Sequence, residues 1–151
     1  MTRTDIINSL IGKIEAKSYL EIGVREPEGN YNKIVCENKV AVDPVPLGPG
    51  IIALTSDAFF KQNESMFDVI FIDGLHVADQ VERDIINSLA VLNPGGYIIC
   101  HDMNPTEELR VIQRGYQEKV SLNGLKLTYS NLVSNRKEWL NLIDSNMLYE
   151  L

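Results

Sequence analysis

The run from Phe67 to Pro105 constrains this chain most, because it reads as strand, helix and strand with chemistry at both strand ends. Val69, Ile70, Phe71 and Ile72 are an unbroken run of β-branched and aromatic residues, the pattern of a parallel strand buried on both faces. The run stops at Asp73-Gly74. From Val77 the apolar period lengthens: Val77, Val81, Ile85, Leu89 and Leu92 share one stripe, with Asp79, Glu82, Arg83 and Asp84 outside it. Asn93-Pro94-Gly95-Gly96 breaks that helix, and Tyr97-Ile98-Ile99-Cys100 makes a second buried strand ending at His101-Asp102. A right-handed βαβ crossover brings Asp73, His76, His101 and Asp102 to one edge of the sheet. Open α/β sheets bind their ligands beyond that edge.

The same alternation extends towards the N-terminus. Ile6, Ile7, Leu10, Ile11 and Ile14 predict a helix over residues 4–16, with Thr4 or Asp5 at its start. Tyr19 to Val24 reads as a strand with a glycine turn at Gly23, and Asn30 to Val35 as a short helix. The strand Val40-Ala41-Val42 ends at Asp43, about 20 residues past Gly23, where nucleotide-binding folds place an acid for the ribose hydroxyls. Ile51 to Leu54 reads as a third strand, closed by Thr55-Ser56-Asp57 before a short helical stretch from Ala58. This sustained alternation predicts a three-layer αβα, Rossmann-like, doubly wound sheet that is mainly parallel.

At 151 residues the chain is long enough for one domain with a core, and we read it as a single unit. Residues 1–103 form the cofactor-binding core and 104–151 an atypical C-terminal part. In that part Asn104-Pro105 starts a helix with Leu109, Ile112 and Tyr116 on its apolar face. Leu125 to Tyr129 alternates like an edge strand, and Trp139, Leu140, Ile143 and Met147 recur at helical spacing, as core or homo-oligomer interface residues do. The net charge of −7, from 14 basic and 21 acidic residues, argues against nucleic acid as partner and favours a neutral or cationic small molecule. No apolar run approaches bilayer length, so no membrane is expected as partner. Cys36 and Cys100 lack metal or redox spacing and read as free thiols of a reducing compartment, the cytoplasm.

Taken in order, Tyr19 to Arg25 (Y-L-E-I-G-V-R), Val42 to Pro44, Thr55 to Phe60, Ile72 to His76 (I-D-G-L-H) and Pro94 to Asp102 (P-G-G…H-D) resemble the class I S-adenosylmethionine-dependent methyltransferases. The likeness is to a small-domain group and spans roughly residues 15 to 105. It implies S-adenosylmethionine as cofactor. It further implies that Gly23 lets the methionine part approach the backbone, that Glu21 binds the ammonium directly or through water, and that Asp43 accepts from both ribose hydroxyls. Asp73 is implied in cofactor binding as well. Asp57 either contacts the adenine amine, with Ala58 or Phe59 against the ring, or caps a helix.

For the transfer itself, His76 is the candidate base, because imidazole titrates near working pH and the strand end faces the expected pocket. The alternative is a histidine that only hydrogen-bonds locally. Asp73 and Asp102 match the metal-binding acids of metal-dependent O-methyltransferases, which makes Asp73, His101 and Asp102 a candidate set for magnesium or manganese. Imidazole at His101 suits manganese, iron or zinc better than magnesium. The expected activity is O-methylation of a small-molecule acceptor such as a sugar or secondary metabolite. Two other readings stay open: a non-catalytic S-adenosylmethionine-binding module, and a nicotinamide-dependent oxidoreductase.

Overall fold

The computed structural model describes residues 2–101, apart from the side chain of Ala78, together with the backbone of 119–122, 125–128 and 148–150. The helix expected after Asn104 and the Trp139 to Met147 stripe lie outside the described residues. Helix α1 (Arg3–Ile14) starts at Thr2, whose side chain accepts from Asp5 N while the Asp5 carboxylate accepts from Thr2 N, a reciprocal cap. Strand β1 (Ser18–Ile22) leads through two single 3-10 turns to β2 (Asn38–Val42), so the expected short helix near Asn30 is not an α-helix. Then follow α2 (Ser56–Gln62), β3 (Phe67–Ile72), α3 (Ala78–Ala90) and β4 (Leu92–Cys100). Further on, β5 (Lys119–Leu122) and β6 (Leu125–Thr128) pair antiparallel, and β7 (Leu148–Glu150) runs parallel to β4.

The main sheet has the order β2-β1-β3-β4-β7, all parallel. The chain moves outward from β1 to β2 and then returns to the far side of β1 for β3. The switch in direction therefore falls between β1 and β3, where such sheets open a crevice. Residue parity sends the two faces of each strand to separate cores. Leu20, Ile22, Ile70, Ile72 and Ile98 pack with Phe59 of α2 and Ile85 of α3. Tyr19, Val69, Phe71, Tyr97 and Ile99 pack with Ile7, Leu10 and Ile11 of α1. Burial of each such large side chain stabilises the fold by about 1.5–3 kcal/mol.

Three expectations are corrected here. Ile51 to Leu54 is not a strand: only Ile52 bridges to Val42, by one bond in each direction (Ile52 N to Ala41 O, Asp43 N to Ile52 O). Leu54 then turns onto the core, and Pro49 has no N–H to extend a ladder. Asn93 to Gly96 does not separate helix from strand, because Leu92 already pairs with Phe67 and the Pro-Gly-Gly segment forms an irregularity inside β4. Gly96 is needed there, since a β-carbon would stand 2.5 Å from Asp68 O. Asp84 is 1 % exposed and lies inside α3's buried face, not outside it.

At the edge opposite the crevice, Asp68 joins three segments. Its Oδ2 accepts from Lys17 N, Ser18 N and Ser18 Oγ, and its Oδ1 from Asn93 Nδ2 at 2.8 Å. Burial works against its charge, but the hydrogen bonds from Asn93, Lys17 and Ser18 outweigh it and hold the carboxyl below its usual range.

Candidate functional site

A cavity of about 660 Å³ opens beyond the carboxyl ends of β1, β2 and β3, a size suited to a nucleoside-sized ligand. The Gly23 turn forms its floor. Gly23 has φ +88°, and a β-carbon there would stand 2.2 Å from Asp73 O, so only glycine lets the ends of β1 and β3 come this close. Its N–H donates to Val42 O at 2.8 Å, which ties the turn to β2 as well. The resemblance gave Gly23 a role towards the ligand; its first role in the structure is towards Asp73.

Asp43 lines the cavity and is largely buried. Its Oδ2 accepts from Arg25 N at 2.9 Å and its Oδ1 from Val45 N at 2.7 Å. A carboxylate has about four acceptor sites, so two fixed backbone donors orient it and leave capacity for two hydroxyls. Asp73 also lines the cavity. Its Oδ2 accepts from Arg3 Nη1 at 2.7 Å, and its Oδ1 lies 3.2 Å from His76 Nε2. His101 Nδ1 is 3.1 Å from the same oxygen, a close contact that is not aligned as a hydrogen bond. Asp73, His76 and His101 thus meet as the βαβ reading expects, with one donor atom from each within 4.8 Å of the others. Asp102 lies outside the described residues.

Glu21 does not line the cavity. It lies beneath α1 at 3 % exposure, where Tyr19 Oη donates to its Oε2 at 2.6 Å and Asn30 Nδ2 at 3.0 Å. Thr4 Oγ1 in turn donates to Asn30 Oδ1, which links α1 to the network. Burial pushes the Glu21 carboxyl up to about 7, with the hydrogen bonds from Tyr19 and Asn30 opposing the rise. Asp57 and Ala58 are off the wall too, and Thr55 and Ser56 from the same turn supply it. Asp57 faces Arg83, with Oδ2 3.4 Å from Nε, and accepts from Gln80 Nε2 at 3.2 Å. The cap of α2 is Thr55, whose Oγ1 accepts from Ala58 N.

Four residues were not singled out from sequence. Arg3 lines the cavity from α1, and Ser56 and Gln80 line it from α2 and α3. Gln80 Nε2 donates to Ser56 Oγ at 3.1 Å and to Asp84 Oδ1 at 3.0 Å, so buried Asp84 holds that wall from behind. Burial raises the Asp84 carboxyl above its ordinary range, against hydrogen bonds from Ser56 and Gln80. The one signal in the sequence was the i, i+4 spacing of Gln80 and Asp84 on a helix.

Residues 48–103, a little over a third of the chain, match the family model of a methyltransferase domain. The match covers α2, β3, α3 and β4, and with them Asp73, His76 and His101. Over that stretch the chain is similar to methyltransferase domains. No curated protein and no solved structure matches the chain closely enough to be counted as similar. The methyltransferase-type fold agrees with the parallel αβα sheet, and the resemblance to class I S-adenosylmethionine-dependent enzymes is supported by the family match. No helix among the described residues is long and apolar enough to cross a membrane.

Proposed function

We propose that the domain transfers a methyl group from S-adenosylmethionine to a hydroxyl of a small molecule, a sugar or secondary metabolite. The observation that carries this reading is that Asp43 after β2, and Asp73 and His76 after β3, line one cavity at the switch point of the sheet. Asp43 would hold the ribose hydroxyls, and the Gly23 turn would sit against the amino-acid part. When bound, S-adenosylmethionine supplies an electrophilic methyl carbon whose bond to sulfur breaks with the electron pair left on sulfur.

The chain's own part is to align the acceptor and to take its proton. With Nε2 of His76 facing Asp73, the acceptor's proton would pass to Nδ1, and Asp73 would stabilise the imidazolium. The new bond joins acceptor oxygen to methyl carbon, and the proton leaves later from His76 to water. We place the domain in a reducing, cytoplasmic setting, where the thiols of Cys36 and Cys100 would stay reduced.

Calorimetry with S-adenosylhomocysteine, against NAD as control, tests the cofactor. Wild type should bind the former, and Asp43→Ala should bind it at least about tenfold more weakly, the loss expected for hydrogen bonds to a charged group. Binding of NAD alone would instead establish the oxidoreductase reading.

A second reading has its own observation. Asp73, His76 and His101 offer two imidazoles and one carboxylate, a donor set that fits a transition ion better than magnesium. These residues would hold such an ion, which would polarise the acceptor hydroxyl. His76 would then be a ligand and not the base.

A further inference from the structure

The cavity has two chemically different ends. Arg3 enters from α1, on one face of the sheet, while Ser56 and Gln80 enter from α2 and α3 on the other. The second end offers neutral hydrogen-bonding groups. The first offers a charged pair, Arg3 Nη1 2.7 Å from Asp73 Oδ2, beside the Gly23 turn. Arg3 is not used up by that contact: a guanidinium has five N–H donors, and its side chain is 36 % exposed. Its Nη2 reaches towards Gly29, 3.8 Å from where a β-carbon there would stand, and its Cζ lies 6.0 Å from the centre of the Phe71 ring.

We propose that Arg3 binds the α-carboxylate of the cofactor's methionine part, with Asp73 taking the adjacent ammonium. This rests on the S-adenosylmethionine reading above. An amino-acid terminus carries both charges a few ångströms apart, and a guanidinium beside a carboxylate is its mirror in charge. Arginine binds a carboxylate through paired N–H groups, which sets orientation as well as affinity. The neutral end of the cavity is left for the base, so the pocket has a polarity that fixes which way the ligand lies.

The test compares S-adenosylhomocysteine with its decarboxylated analogue, S-adenosyl-3-thiopropylamine, which keeps the nucleoside and the ammonium. Affinities are measured by calorimetry on wild type, Arg3→Met and Arg3→Lys. Wild type should prefer S-adenosylhomocysteine by about tenfold or more. Arg3→Met should abolish that preference by weakening S-adenosylhomocysteine alone, and Arg3→Lys should restore part of it. Equal weakening of both ligands by Arg3→Met would mean that the residue acts only through the fold, and would overturn the proposal. So would a wild type that binds both equally. A wild type that binds neither would overturn the cofactor reading itself, a result distinct from loss of discrimination.

Discussion

Gly23 lies against Asp73 so closely that the carbonyl oxygen of Asp73 occupies the space a side chain at 23 would need, 2.2 Å from its β-carbon. Gly23→Ala should therefore cost about 3 kcal/mol or more, from the positive φ together with a backbone clash that no side-chain movement relieves. Chemical denaturation checks this. A loss under about 1 kcal/mol, the size of an ordinary glycine-to-alanine change, would show that the two strand ends can separate freely.

Glu21 gives the stability a pH dependence. Its carboxyl is raised by burial from 4.5 to about 7, so its contribution is complete below about pH 4.5 and is lost as pH rises through about 7. The full amplitude is about 3 kcal/mol, at about 1.4 kcal/mol per pKa unit. Glu21→Gln keeps an oxygen for Tyr19 and Asn30 but carries no titrating proton. The variant should show a flatter stability profile between pH 5 and 8 than wild type, measured by denaturant titration at each pH. Parallel profiles would clear Glu21 of this effect.

Asp84→Ala should destabilise the domain by about 2–4 kcal/mol, because it leaves a cavity and removes the acceptor that Ser56 and Gln80 share. Adenosine-containing ligands should also bind more weakly, since both partners lie on the cavity wall. Asp84→Asn should recover part of the stability. A change in stability with no change in ligand affinity would confine Asp84 to packing.

For His76, replacement by Ala should leave S-adenosylhomocysteine affinity within about twofold while turnover falls by about 10²–10⁴, the usual range for loss of a general base. Unchanged turnover would remove the base role.

The donor set at the rim makes a selective prediction about ions. Manganese or zinc should bind the metal-stripped protein at least about tenfold more tightly than magnesium, and His101→Ala should erase the difference. Equal affinities in wild type would argue that the two imidazoles serve only as hydrogen-bonding groups of Asp73.

Strand and helix identity was legible wherever the apolar period was long and unbroken, as in Val69 to Ile72 and in the stripe from Val77 to Leu92, although its last member, Leu92, opens β4. The meeting of Asp73, His76 and His101 followed from βαβ topology alone. What sequence did not show was decided by contacts between distant segments. Arg3 reaches Asp73 across 70 residues, and no local pattern marks it. The resemblance implied that Glu21 binds the cofactor's ammonium, yet strand parity places it with Tyr19 under α1 and off the cavity wall. Asp84 falls outside the apolar stripe by helical spacing, and only the Ser56 and Gln80 partners explain why this carboxylate is buried. Ile51 to Leu54 had strand composition but lacked the length of ladder to remain one.

Asp68 anchors β1, β3 and β4 at the edge remote from the cavity, through donors from Lys17, Ser18 and Asn93. The groups that would meet ligand stand at the other rim, so rigidity and chemistry are sited a full strand length apart. Residues around the opening can therefore drift towards new acceptors while the clasp below keeps the strands in register. In strong acid the clasp is the part that lets go: its depressed carboxyl adds stability above the unfolded value near pH 4 and surrenders it as pH falls further.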